Sequence, residues 1–143
     1  MKMIIEKDIY NCIINSASPL PPELGGILGG KEGIIIEMLQ DEGMPSSKMC
    51  SYHPNVKLLN RAIKEWQSKD IEFMGIYHIH YWGVSTLSEG DKLYISRIMA
   101  NMPEGIEKLY FPILVMPEKE MACYVARIIS GELVIEKDNI ALI

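Results

Sequence analysis

The chain has 143 residues, of which 48% are hydrophobic and 23% charged, and its formal net charge at pH 7 is −5. These values are typical of one globular domain with a continuous apolar core, and we take residues 1–143 as a single domain. The acidic balance and the scattered Lys and Arg argue against nucleic acid or an acidic membrane surface as a partner.

The start of the chain and its cysteines predict a cytoplasmic protein. Residues 1–8 become charged too early for a secretory signal, and no apolar run reaches membrane-spanning length. Cys12, Cys50 and Cys123 are odd in number, form no C-x-x-C pair, and each lies among apolar residues. We therefore expect three buried thiols in a reducing compartment, with no zinc or redox site built from cysteine.

The first part of the chain alternates predicted helices and strands. Residues 6–17 have apolar positions at helical spacing, and the prolines within 18–22 end that helix. A glycine-rich strand is predicted over 24–30, where the missing side chains indicate that another group approaches the backbone closely. The β-branched run at 34–39 predicts a buried strand, and 48–52 is a further short one.

The second part continues the alternation and ends in strands. A helix with one apolar face is predicted after Pro54, then a strand over 71–79, then a helix that begins at Ser88. The last predicted strands are 109–116, 121–130 and 133–136. Together these elements predict an α+β domain with mixed α/β layers, in which a central mixed β-sheet is flanked by about three helices.

The strongest functional signal is the spacing H-x-H, seven residues, then S-x-x-D, formed by His78, His80, Ser88 and Asp91. Strand side chains alternate, so the two imidazoles fall on one face, and a carboxylate from the next turn can close the third corner of a metal site. Two His and one Asp leave one position of a tetrahedral zinc ion open, which is how hydrolytic zinc sites are built.

The whole pattern resembles the signature of the JAMM (MPN+) zinc metalloproteases, or JAB domain proteins, in particular their small prokaryotic members. The family's upstream glutamate beside a glycine-rich strand is matched by Glu23 in the segment Pro22-Glu23-Leu24-Gly25-Gly26. The similarity covers roughly residues 5–130, and the four-part signature is far more specific than H-x-H alone. It implies the MPN/JAB-like, cytidine-deaminase-like fold.

The resemblance also implies a role for each site residue. His78, His80 and Asp91 would bind Zn²⁺, with water as the fourth ligand and the nucleophile. Glu23 would act as general base, and Ser88 would stabilise the oxyanion. The implied reaction is hydrolysis of peptide or isopeptide bonds at the C-terminus of a ubiquitin-like or sulfur-carrier (β-grasp) protein, whose extended tail could add to a strand edge beside the zinc.

This chain departs from the family pattern at two positions that shape the loop after H-x-H. Most members have proline where this chain has Tyr81, and often another where it has Leu87. We expect a reshaped loop with the metal site retained. Tyr81 and Trp82 would then lie at the mouth of the site and contact the substrate tail, or equally well cover the end of the core.

Each site residue also has a plain structural interpretation. An isolated H-x-H is more often an ordinary pair, and Glu23 could simply end a turn. Ser88 fits a helix N-cap, with Asp91 completing a capping box, and this role is compatible with metal binding. His53 is predicted as a surface or capping residue and Glu89 as a charge favoured by the helix dipole, neither of them a ligand.

Two alternative functions remain beside the protease. One is a non-catalytic MPN-type scaffold that binds partner proteins, although such relatives usually lack one or more ligands. The other is a zinc hydrolase that acts on small peptides or amides. The intact set of five residues, Glu23, His78, His80, Ser88 and Asp91, favours the enzyme.

Overall fold

The computed structural model describes residues 2–17, 24–41, 54–103 and 105–143. Within these residues the elements in chain order are β1 (Lys2–Ile5), α1 (Lys7–Ser16), β2 (Gly25–Lys31), β3 (Ile34–Asp41), α2 (Val56–Ser68), β4 (Glu72–His80), α3 (Glu89–Ala100), β5 (Lys108–Tyr110), β6 (Ile113–Val115), β7 (Glu120–Ile129) and β8 (Glu132–Leu142). The three predicted helices are thus confirmed. The predicted strand at 48–52 lies outside the described residues.

The strands close into a barrel. Their order is β2, β3, β1, β8, β7, then β5 and β6, then β4, which pairs back onto β2. β5 and β6 share one place between β7 and β4, so the described residues form a mixed barrel with seven strand positions. The prediction of a central sheet flanked by helices is therefore wrong, although three helices are present.

The closure depends on pairings that local sequence patterns do not reveal. β1, which the sequence did not predict, pairs in parallel with both β3 and β8, for example Ile4 with Ile34 and Met3 with Ile140. β8 runs well beyond the predicted strand at 133–136. Hydrophobic periodicity tells which face of a strand is apolar, but not which distant strand it will pair with.

The inside of the barrel is filled by one apolar cluster. Strands β1 to β7 contribute the buried residues Met3, Ile5, Leu28, Ile35, Tyr77, Ile79, Tyr110, Leu114, Cys123 and Val125, and Ile140 of β8 packs against them. Ile13, the buried residue of α1, joins the same cluster. Side chains thus fill the interior of this barrel, as they do in other small barrels.

The outer face of the barrel is covered by α2 and α3. Leu59, Ala62 and Trp66 follow the helical spacing of α2 and pack with outward-facing strand residues such as Ile27 and Ile76. α2 begins at Asn55, whose side chain accepts a hydrogen bond from the backbone N–H of Leu58. This second cluster includes Ile76 of β4, and the two histidines follow it on the same strand.

The glycines of β2 are required by close approach, as the sequence predicts. A Cβ at Gly26 would lie 2.3 Å from the ring of Tyr77, and one at Gly29 would lie 2.8 Å from the indole of Trp66. The groups that approach these two glycines are therefore the protein's own core side chains.

The cysteines depart from the prediction of three buried thiols. Cys123 is buried inside the barrel, but Cys12 is exposed on α1, beside the inward-facing Ile13. Cys50 lies outside the described residues. Among the residues that the structure describes, no helix has both the length and the apolar character to span a membrane.

Candidate metal centre

Strand β4 brings two imidazoles to the outer face of the barrel. Its side chains alternate, so that Ile79 points into the barrel cluster, whereas Ile76, His78 and His80 point outwards beneath α3. His78 has no exposed surface and His80 is 5% exposed. Buried imidazoles need polar partners, and the neighbouring helix supplies them.

The first turn of α3 supplies the carboxylate. The Ser88 side chain accepts a hydrogen bond from the Asp91 backbone N–H at 3.0 Å, and Asp91 Oδ2 accepts one from the Ser88 backbone N–H at 2.8 Å. The predicted capping box is thus confirmed. It fixes the Asp91 side chain at the helix start, where it lies buried against both histidines.

Three ligand atoms converge at this point. His78 Nε2 lies 2.8 Å from His80 Nε2 and 3.3 Å from Asp91 Oδ1, and His80 Nε2 lies 3.0 Å from Asp91 Oδ2. Ligands about 2.0–2.1 Å from a tetrahedral zinc ion are roughly 3.3 Å apart, so a small outward movement of the ligand atoms separates this arrangement from a metal site. The donor set of two nitrogens and one carboxylate fits zinc and leaves one position free.

The other ring nitrogens have partners that favour metal binding. His80 Nδ1 lies 3.1 Å from the Val84 carbonyl oxygen, which can only accept, so this contact favours the tautomer with its proton on Nδ1, the one that metal binding at Nε2 needs. The lone pair of His80 Nε2 then faces the other two ligands. His78 Nδ1 lies 3.1 Å from the Tyr94 hydroxyl. Such outer partners orient metal-bound histidines and fix their tautomers.

The charge states also suit a divalent cation. Burial lowers the pKa of His78, so that its ring is neutral at pH 7. Burial by itself would raise the pKa of Asp91, but the neighbouring imidazoles and the Ser88 backbone N–H outweigh it and hold that pKa well below its usual range. Neutral nitrogens and an ionised carboxylate are the forms that bind metal.

The two aromatic residues predicted at the mouth of the site, Tyr81 and Trp82, lie in different environments after β4. Tyr81 is buried in the barrel cluster, whereas Trp82 is 68% exposed. The loop is held by hydrogen bonds from the Gly83 backbone N–H to the Met116 carbonyl and from the Tyr124 hydroxyl to the Ser85 carbonyl. Of the two aromatic side chains, Trp82 is the one available to an incoming molecule.

The remaining predicted residues are placed as follows. Ser88 and Glu89 are exposed at the start of α3. Glu23 and His53 lie outside the described residues. The sequence analysis missed Tyr94 and the Val84 carbonyl. Tyr94 could have been found from its position three residues after Asp91, on the same helix face, whereas a backbone carbonyl leaves no residue-type signal.

No protein-family model matches the chain. No curated protein matches it either. Among solved structures, a protein from Desulfitobacterium hafniense has a TM-score of 0.70 and 18% identity, with 98% of this chain and 92% of that chain covered. A JAB1/MPN domain protein from Archaeoglobus fulgidus has a TM-score of 0.55 and 19% identity, with 98% of both chains covered. The chain therefore has an MPN/JAB-like fold that contains a buried His-His-Asp group able to bind a metal.

Proposed function

We propose that this chain is a JAMM-type zinc hydrolase that cleaves peptide or isopeptide bonds at the C-terminus of ubiquitin-like or sulfur-carrier proteins. The observation that carries the proposal is the convergence of His78, His80 and Asp91, with protonation states suited to a metal, in an MPN/JAB-like fold. The cytoplasmic location and the single-domain organisation stay predictions from the sequence.

The three ligands would contribute to metal binding in different ways. His78 and His80 provide neutral nitrogens from one rigid strand, and Asp91 provides one negative charge from a capped helix. When bound there, zinc supplies Lewis acidity and activates water near neutral pH. Three protein ligands would leave one tetrahedral position for water or the substrate.

Ser88 is suited to stabilise developing negative charge. Its Oγ accepts the hydrogen bond from the Asp91 backbone N–H, so the hydroxyl proton remains available to a substrate carbonyl oxygen. The residue is exposed at the helix N-terminus, where the helix dipole also favours negative charge. Loss of one such donor typically lowers kcat by about 10²–10³.

Glu23 is our proposed general base. It accepts a proton from the attacking water and passes it to the leaving amine. In sequence it precedes Gly25 by two residues, and Gly25 lies directly opposite His78 in the sheet. The proposal for Glu23 therefore rests on the sequence motif and on this pairing of its strand.

The closed barrel changes the expected mode of tail binding. Among the described residues, β4 pairs with β2 as far as His78 and with β6 from His78 to His80, so these paired edges are not available to another strand. A substrate tail would instead lie along the exposed backbone of residues 82–86. Trp82 is the side chain of this loop with the largest apolar surface to offer.

The test uses zinc-loaded protein and a β-grasp protein that carries a short peptide after its C-terminal glycine. Intact mass spectrometry follows release of the peptide. We expect cleavage at the glycine by the wild type and none by Glu23→Gln, which should keep its zinc because it removes the base and spares the ligands. Glu89→Gln removes the same charge from an exposed residue near the centre and should cleave normally.

Two outcomes would contradict the proposal. Near-normal cleavage by Glu23→Gln would remove that residue as general base. A fully zinc-loaded wild type that cleaves none of a panel of ubiquitin-like and sulfur-carrier fusions would remove the substrate class, and the small-peptide hydrolase would become the better interpretation. Absence of zinc binding would favour the non-catalytic scaffold.

A further inference from the structure

We propose that Tyr94 is a positioning residue of the metal centre, whose hydroxyl holds His78 in the tautomer and ring orientation that metal binding needs. The assignment rests on the proposed zinc site and adds to it a residue outside the H-x-H and S-x-x-D pattern. Tyr94 lies on α3, and its Oη is 3.1 Å from His78 Nδ1.

The burial of His78 makes this contact important. The ring has no exposed surface, so water cannot accept its Nδ1 proton. When Tyr94 accepts that proton, the lone pair of His78 Nε2 faces His80 and Asp91. When the tyrosine instead donates to Nδ1, the neutral ring carries its proton on Nε2 and cannot bind a metal there. Metal binding therefore selects the arrangement in which Tyr94 accepts.

Packing fixes the position of the phenol independently of the hydrogen bond. The Tyr94 ring makes edge-to-face contacts with His78, at a centroid distance of 5.8 Å, and with Phe111, at 6.1 Å. The residue is 7% exposed. Replacement by phenylalanine would keep both ring contacts and remove only the hydroxyl, so the substitution measures what the hydroxyl contributes.

Helix geometry links Tyr94 to the ligand set. Asp91 and Tyr94 are three residues apart on α3 and share one helix face. The capping box at Ser88 fixes the start of α3. The helix therefore positions together the ligand Asp91 and Tyr94, which contacts the ligand His78. His80, by contrast, is oriented by a backbone carbonyl, which substitution of the residue does not remove.

The experiment measures zinc affinity of metal-free protein by competition with a chromophoric chelator. Tyr94→Phe should bind zinc about 10–100-fold more weakly than the wild type, the usual cost of losing an outer partner. The absorption spectrum of the cobalt(II) form should also change, because it reports ligand geometry. Tyr110→Phe is the matched control: it removes another buried tyrosine hydroxyl, which donates to the Lys2 carbonyl, away from the centre.

The outcomes separate this role from the zinc site itself. Wild-type affinity and an unchanged cobalt spectrum in Tyr94→Phe would overturn the role of Tyr94 and leave the zinc site standing. An equal loss of affinity in Tyr110→Phe would also overturn it, because general destabilisation would then be the cause. A wild type that binds no zinc would overturn the metal centre, and Tyr94 with it. Thermal unfolding of the metal-free proteins checks that both variants fold.

Discussion

The two faces of β4 are equally buried but differ in how their polar atoms are treated. On the inner face, the Tyr77 hydroxyl is buried with no partner within 3.5 Å among the described residues, and the Ser16 side chain offsets only part of the effect of burial on its pKa. On the outer face, both nitrogens of His78 and of His80 lie within hydrogen-bond distance of other groups. Burial alone therefore does not distinguish the two faces. The supply of polar partners does, because polar groups are costly to bury unless something pairs with them.

Substitutions of the consecutive residues Ile79 and His80 should show the difference between the two faces of β4 most clearly. His80→Ala should reduce zinc from about one ion per chain to almost none, since a ligand is lost. Ile79→Ala should keep its zinc but lower the free energy of unfolding by about 2–5 kcal/mol, because it opens a cavity in the barrel. Elemental analysis and denaturant unfolding of both variants measure the two effects. Undiminished zinc in His80→Ala would remove that residue from the ligand set.

An alkaline titration should sharpen the contrast at the inner face. Burial raises the pKa of Tyr77 to about 12 from 10.0. Because the folded-state pKa lies above the unfolded one, the stability contribution is complete below pH 10 and is lost as the pH rises towards 12. The loss has an upper bound of about 3 kcal/mol. Between these pH values, the Tm of Tyr77→Phe should fall less steeply with pH than the Tm of the wild type. The same slope in both proteins would contradict the raised pKa of Tyr77.

The smallest effect is expected at the loop that adjoins the outer face. Tyr124→Phe removes the hydrogen bond of 2.9 Å to the Ser85 carbonyl, next to the Val84 carbonyl that orients His80. We expect a loss of about 0.5–1.5 kcal/mol in unfolding free energy and zinc affinity weakened by less than in Tyr94→Phe. Zinc competition compares the two variants. A larger loss in Tyr124→Phe would mean that the loop, not α3, dominates the positioning of the histidines.

The sequence predicted the clustering of His78, His80 and Asp91 better than it predicted the fold, because the cluster is local. His78, His80 and Asp91 lie within fourteen consecutive residues, and strand alternation and the capping box each act over a few residues. Barrel closure depends instead on pairs such as Met3 with Ile140. No short-range pattern encodes such a pairing, so the same residues also permitted an open sheet.

The missed details of the site have physical reasons as well. Strand alternation continues past His80, so Tyr81 has the parity of Tyr77 and Ile79 and enters the barrel with them. Applying the alternation one residue further would have predicted its burial. Tyr94 was read as part of an apolar helix face, and its ring does pack there. Its hydroxyl lies 3.1 Å from His78 Nδ1 at the same time.

The backbone at Trp82 adopts a conformation that its own side chain does little to stabilise. Its φ is +58°, in the left-handed region, and the following Gly83 has φ +73°. A bulky residue in that conformation costs about 1 kcal/mol, and a side chain that is 68% exposed returns little of it through packing. Selection for folding alone would favour glycine or asparagine at this position. The exposed indole at Trp82 therefore gains little from the fold that carries it.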